Sequence, residues 1–264
     1  MFKSIIRLTG DGFLLFILLF CSVSGFSYEI KPLDKKPLPK EKSAFNLVFC
    51  PLNYSDKEAF QKDTQSLIAR LKRTRPFDEF SVSFSIWQVN LTGAEAVQVF
   101  KPTQSFPPLK VCNDLLAYIS LKLKSREYKL VIIDAKGSTS CAELSLIDKT
   151  SLIILGKARY KDADSFAKGF LHELGHSLGL YDECVDCAQL SSSGNPNCAS
   201  DRKEAERWWG DLVGKDPRVN YIAGCCGNKD YIRPTIASLM NDADKAEDFG
   251  PVNERYLINL LNPH

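Results

Sequence analysis

Two of the chain's three histidines, His172 and His176, lie four residues apart in the stretch HELGHSLGLYDE, and Glu173 directly follows the first. On an α-helix four residues advance about 400°, so the two imidazoles leave one face a turn apart and can grip a single metal ion. Glu173 sits about 100° round the helix, where its carboxylate can accept a proton from a water on the metal without being a ligand. Gly179 marks the helix end, because glycine most readily takes the left-handed conformation of a C-cap. The chain can then turn back and offer a carboxylate, Asp182 or Glu183, as third ligand, leaving a fourth position for water. The remaining histidine, His264, lies far downstream at the last position. Two neutral imidazoles and one carboxylate leave a zinc site with net charge +1 rather than +2, so its water is polarised less than in a three-histidine site.

The elements that must hold these groups are readable along the chain. With 264 residues, 44% of them hydrophobic, the protein can bury one sizeable core in one domain or two. A net charge of +2 gives no basic surplus and argues against a nucleic-acid partner. Lys3 and Arg7 lead into an apolar run from Phe13 to Phe20 and then small residues, which reads as an export signal over 1–25; the run is too short to span a bilayer, and the mature chain has no other span. Cys21 allows a lipoprotein reading that the bulky Phe20 before it disfavours. Residues 26–45, rich in Lys and Pro, read as an exposed leader.

Beyond the signal stand Cys50, Cys112, Cys141, Cys184, Cys187, Cys198, Cys225 and Cys226, an even set that in an exported chain implies disulfides whose connectivity spacing does not reveal. Most of them follow the histidine helix, which predicts a stapled, largely irregular C-terminal subdomain over 181–264. Cys184-x-x-Cys187 is alternatively half of a second zinc site or a redox pair. The sequons at Asn53 and Asn90 are frequent enough by chance to decide nothing.

From residue 46 the pattern is α/β. NLVFC reads as a strand, followed by a helix capped by Ser55 or Asp56 and closed at Pro76, then the strand VSFSIWQVN. Residues 91–111 are an irregular excursion, and Cys112 to Lys124 is helical, with Leu115, Leu116, Ile119 and Leu123 on one side. YKLVIID and TSLIIL are continuous apolar runs typical of inner parallel strands covered on both faces. Ser138 to Ile147 between them suits a polar edge strand. The histidine helix starts at Asp162 or Asp164, runs to Leu178, and packs on the sheet through Phe166, Phe170, Leu174 and Leu178.

The extended pattern H-E-x-x-H-x-x-G-x-x-D resembles the metzincin zinc metallopeptidases, with aspartate where the usual motif has histidine. NLVFCPLNYS and RPFDEF near the start, and RPTIASLMND with FGPVNERYLINLL near the end, resemble the bacterial IgA-peptidase-like metzincins, so that the likeness covers most of 46–262. The resemblance implies a metzincin-like α/β fold over 46–264, divided into 46–180 and 181–264: a mostly parallel twisted sheet with an edge strand, an active-site helix, and a closing helix. It implies His172, His176 and Asp182 as ligands of one catalytic zinc ion and Glu173 as general base. Met240 takes the place of the Met-turn residue, an apolar floor under the metal; Asp242 stands where some metzincins carry an oxyanion-stabilising tyrosine, which leaves Tyr181 and Tyr231 as alternatives. The activity implied is an exported zinc-dependent metalloendopeptidase acting on protein or peptide substrates, secreted or held in the cell envelope. The competing expectation is an exported binding protein in which zinc is only a staple, which the intact Glu173 disfavours.

Overall fold

The computed structural model of the protein describes residues 29–33, 45–80, 84–91, 95–96, 99–104, 107–125, 127–144, 151–184 and 196–261. The expected export signal, much of the leader, Cys187 and His264 lie outside the described residues. Strands β1 (Glu29–Pro32) and β2 (Phe45–Leu52) precede helices α1 (Lys57–Leu71) and α2 (Phe77–Phe80). Strand β3 (Phe84–Asn90), the ribbon β4 (Phe100–Pro102) and β5 (Leu109–Val111), and helix α3 (Asn113–Leu123) follow, then strands β6 (Tyr128–Asp134), β7 (Cys141–Leu144) and β8 (Ser151–Gly156). Helix α4 (Ala163–Ser177) carries the histidines; α5 (Arg202–Trp209), the hairpin β9 (Ile222–Cys225) and β10 (Asn228–Arg233), and α6 (Pro251–Leu261) come after it.

The fold is mixed α/β with a mostly parallel central sheet. Among the described residues six strands join in the order β1-β3-β2-β6-β8-β7. The four inner strands run parallel, and β1 and β7 lie antiparallel at opposite edges. Alternation along each inner strand explains why both faces are apolar. Leu47, Phe49, Val131, Ile133, Ile153 and Leu155 point into a core shared with α1, α4 and α6. Val48, Cys50, Leu130 and Ile132 point the other way, against Leu115 and Ile119 of α3. Cys50 thus serves the sheet as a small buried apolar group with a free thiol. Among the described residues no helix is long and apolar enough to cross a membrane.

Several expectations are refined. Asp56 caps α1, accepting from the amides of Glu58 and Ala59 at 2.9 and 3.1 Å. That helix ends at Leu71 rather than at Pro76, and the Arg73 and Thr74 amides tighten its end into turns by bonding the Arg70 and Leu71 carbonyls at 3.2 Å. In the stretch read as a solvated leader, Glu29–Pro32 pairs its backbone with β3 while most of its side chains stay exposed. Within the irregular excursion of 91–111, β4 and β5 form a short antiparallel ribbon. The segment 196–261 carries the expected staple in Cys198–Cys225 but is more regular than expected: Trp209 is fully buried among Ala199, Ala205, Val219 and Val252, which gives α5 and the hairpin a small core of their own.

Two polar devices fix α4 against this frame. At its start Asp162 accepts from the Ser165 amide at 2.7 Å and Ser165 Oγ returns the contact to the Asp162 amide at 3.2 Å, a reciprocal capping box. At its end the buried Lys129 of β6 donates to the Ser177 carbonyl at 2.9 Å and to Ser151 Oγ at 2.7 Å, placing a cation where the helix dipole is negative. Burial lowers the pKa of Lys129 from the ordinary 10.5 to about 8, so between those values the unfolded chain binds the extra proton and stability rises with pH. Relative to Lys129→Met, the wild type should gain roughly 3 kcal/mol of unfolding free energy across that window in denaturant titrations. Parallel pH profiles for the two proteins would exclude a buried ammonium at this position.

Candidate metal centre and cleft

Helix α4 ends as the glycine demands. Gly179 adopts φ of +97°, its amide donates to the His176 carbonyl at 3.0 Å, and the Leu180 amide reaches back to the Gly175 carbonyl at 3.0 Å, a Schellman turn. The reversal carries the chain back over the histidine face. Asp182 Oδ1 comes to 3.2 Å from His172 Nε2 and 3.4 Å from His176 Nε2, and the two Nε2 atoms are 3.0 Å apart. Three of the residues expected as ligands are therefore brought together at the floor of an open cleft of about 1010 Å³. Glu173 lines the same cleft and is only 5% exposed.

Backbone carbonyls set the tautomers. His172 Nδ1 lies 2.7 Å from the Leu239 oxygen and His176 Nδ1 lies 2.9 Å from the Leu180 oxygen. A carbonyl only accepts, so each ring carries a proton on Nδ1, and in its neutral form each ring offers an Nε2 lone pair. Those nitrogens and a carboxylate oxygen converge, an arrangement that favours a positive charge in their midst, whether a ring proton or a metal ion. A tetrahedral ion with bonds of about 2.0–2.2 Å needs ligand atoms about 3.3–3.6 Å apart, and the observed 3.0–3.4 Å lies at and slightly below the short end of that range, so a small outward adjustment admits the ion. The residues thus fit zinc.

The electrostatics agree. Burial opposes charging of His172, but its hydrogen bond to Asp182 and the nearby Glu173 and Asp182 carboxylates prevail and push its pKa up to about 9. Burial would raise Asp182, yet the hydrogen bonds from His172 and His176 hold it below the usual carboxylate range. Glu173 is raised, chiefly by burial, with the imidazoles pulling the other way. A carboxylate made more basic than usual beside a metal site is suited to accepting a proton.

Glu183, the rival ligand, points away from the imidazoles. It is fully buried, with Oε1 accepting from Asn253 at 2.7 Å and Asn197 at 3.2 Å, and Oε2 accepting from Ser238 at 2.7 Å. Asp182 faces the cleft, and the next side chain, Glu183, turns into the core. Met240 is fully buried against α4: a Cβ on Gly175 would meet its sulfur at 2.6 Å, so glycine between the histidines is what admits the thioether beneath them. Asp242 lines the cleft and bonds Lys245 at 2.8 Å. Tyr181 and Tyr231 both pack against Cys198, Cys225 and Cys226, and of the two Tyr181 also lines the cleft. Cys198 and Cys225 form a disulfide, Cys184 is also disulfide-bonded, and Cys226 is a buried free thiol.

Sequence reasoning missed Tyr160 and Tyr256, which also line the cleft, and the polar side chains around Glu183. It also missed Lys129, although a lysine inside YKLVIID, in phase with Val131 and Ile133, signals a cation turned toward the core.

No protein-family model matches the sequence, and no curated protein does. Among solved structures the chain is similar to the crystal structure of archaemetzincin from Methanopyrus kandleri, with 11% identity, a TM-score of 0.32, and coverage of 60% of this chain and 86% of that one. A superposition that loose says nothing about chemistry, which rests on this chain's own side chains. That neighbour does not show the finer likeness to the bacterial IgA-peptidase-like metzincins.

Zinc titration of the chelator-treated protein should give one tight ion per chain. Asp182→Ala should weaken it by at least about 100-fold, the upper end of what supporting residues alone contribute. Unchanged affinity in that variant would remove Asp182 from the site.

Proposed function

We propose that the chain is an exported zinc-dependent metalloendopeptidase of metzincin type, with zinc held by His172, His176 and Asp182 and with Glu173 as general base. The observation that carries this reading is the convergence of His172 Nε2, His176 Nε2 and Asp182 Oδ1 within 3.4 Å of one another, in an open cleft beside a buried carboxylate. A purely structural site has four protein ligands and no use for a base. Zinc, when bound, supplies the Lewis acidity that acidifies an attacking water and polarises the scissile carbonyl. Glu173 receives the proton of that water and later delivers it to the leaving amine. Strand β7 borders the cleft through Cys141 and Ala142, pairs with β8 on one side and ends the sheet on the other. An extended peptide can add to that edge through backbone hydrogen bonds that tolerate many sequences. The motifs that resemble the IgA-peptidase-like metzincins support the same chemistry, and the N-terminal signal pattern supports export.

Glu173→Gln should keep zinc affinity and lower the rate of quenched-peptide or casein hydrolysis by about 10²–10⁴-fold. Undiminished cleavage by that variant refutes the mechanism. Stoichiometric zinc without any cleavage by the wild type favours the non-catalytic binding protein.

A further inference from the structure

Asp182 is the one proposed ligand that no helix holds, and the structure shows what holds it instead. The Asp182 carbonyl accepts from the Cys226 amide at 3.0 Å, and the amide of the next residue, Glu183, donates to the Met240 carbonyl at 2.8 Å. The Glu183 carboxylate then gathers side chains from three separate segments. These are Asn197 ahead of α5, Ser238 in the turn that carries Met240, and Asn253 in α6; Thr235 Oγ1 stands at the hydrogen-bond limit, 3.5 Å from Oε2. Asn197 also grips the residue on the other side of Asp182, donating to the Tyr181 carbonyl at 2.8 Å and accepting from its amide at 3.1 Å. Ser238 directly precedes Leu239, whose carbonyl orients His172.

We propose that Glu183 is a positioning residue for the metal centre, its carboxylate fixing both Asp182 and the turn that orients His172. This rests on the reading of His172, His176 and Asp182 as a metal site. The role is one of hydrogen-bond acceptance. Only a group with several lone pairs can satisfy donors from three segments at once, and an apolar replacement leaves one N–H of each asparagine amide and the serine hydroxyl unpaired in the interior, the other N–H groups keeping the Tyr181 and Phe249 carbonyls. Glutamine meets the same demand. Its oxygen can take the two asparagine donors while its amide donates to Ser238 and Thr235, whose hydroxyls reverse roles.

The test is zinc affinity by chelator competition, alongside thermal unfolding of the metal-free proteins, for Glu183→Gln, Glu183→Leu, Ser238→Ala and Asp182→Ala. Glu183→Gln should bind zinc within about threefold of wild type, and Glu183→Leu should lose about 10–100-fold, as when a group supporting a ligand is removed. A folded Glu183→Leu with wild-type affinity overturns the proposal, and so does a Glu183→Gln as damaging as the leucine. If Glu183→Leu does not fold, Ser238→Ala decides: a loss of about fivefold, the worth of one hydrogen bond, supports the role, and unchanged affinity overturns it. Asp182→Ala separates the two readings. If it leaves zinc affinity intact, the metal site itself falls; if it abolishes binding while Glu183→Leu does not, only the positioning role falls.

Discussion

Three acceptor atoms aimed at one another are the constraint on which the rest of the molecule depends. The carbonyls of Leu239 and Leu180 keep the protons of His172 and His176 on Nδ1, so that two nitrogen lone pairs and the Asp182 oxygen meet at 3.0 to 3.4 Å. Left to themselves such groups repel, and flexible side chains would swing apart. They stay convergent because each is clamped from behind by backbone. The arrangement suits a cation, and its convergence needs a scaffold stiff enough to hold the three groups.

That stiffness comes from the sheet. The histidine helix buries Phe166, Phe170 and Leu174 in the same core as Leu47, Phe49 and Val131. Its outer flank is tied by Lys168 to Glu247 at 2.6 Å, while Arg70 of α1 bonds the same carboxylate at 2.8 Å and Asp164 at 3.2 Å. Glu247 lies past the Met240 turn, so this network links two helices to the segment that forms the cleft floor. Such partly exposed pairs contribute little stability singly, and their use here is registration: they fix where the turn lies relative to α4.

How much of this was written in the sequence follows from how local each signal is. The apolar strands, the Asp162 cap, the Phe stripe and the Gly179 stop are each set by residues a few positions apart, and the structure places them as their periodicities predict. The i, i+4 histidine spacing belongs to the same class, which is why that half of the candidate site was legible. The choice between Asp182 and Glu183 was not fixed by local chemistry, since both are carboxylates on one irregular segment. In the folded chain Asn197, Ser238 and Asn253, remote in sequence, converge on Glu183 and leave Asp182 beside the imidazoles. Lys129 was overlooked for a related reason: one lysine in an apolar run looks like a strand end until Ser177 arrives from another element to receive its proton. The regular structure beyond the histidine helix was underestimated because the cysteines there suggested covalent staples, while Trp209 organises a small apolar core without them.

Placing a carboxylate, rather than a third imidazole, on a segment outside any helix has a mechanical consequence. An imidazole is oriented by one hydrogen bond from its far nitrogen, as Leu239 and Leu180 do for the helical pair. A carboxylate can be oriented through its second oxygen, but the bonds that fix Asp182 here are made by the backbone that carries it. Residues 181 and 183 on either side of Asp182 are accordingly held by Asn197, Met240 and the Glu183 cluster, and the Asp182 carbonyl by Cys226. The dense polar packing beneath the turn is thus the counterpart, for an aspartate, of the single carbonyl that suffices for each histidine.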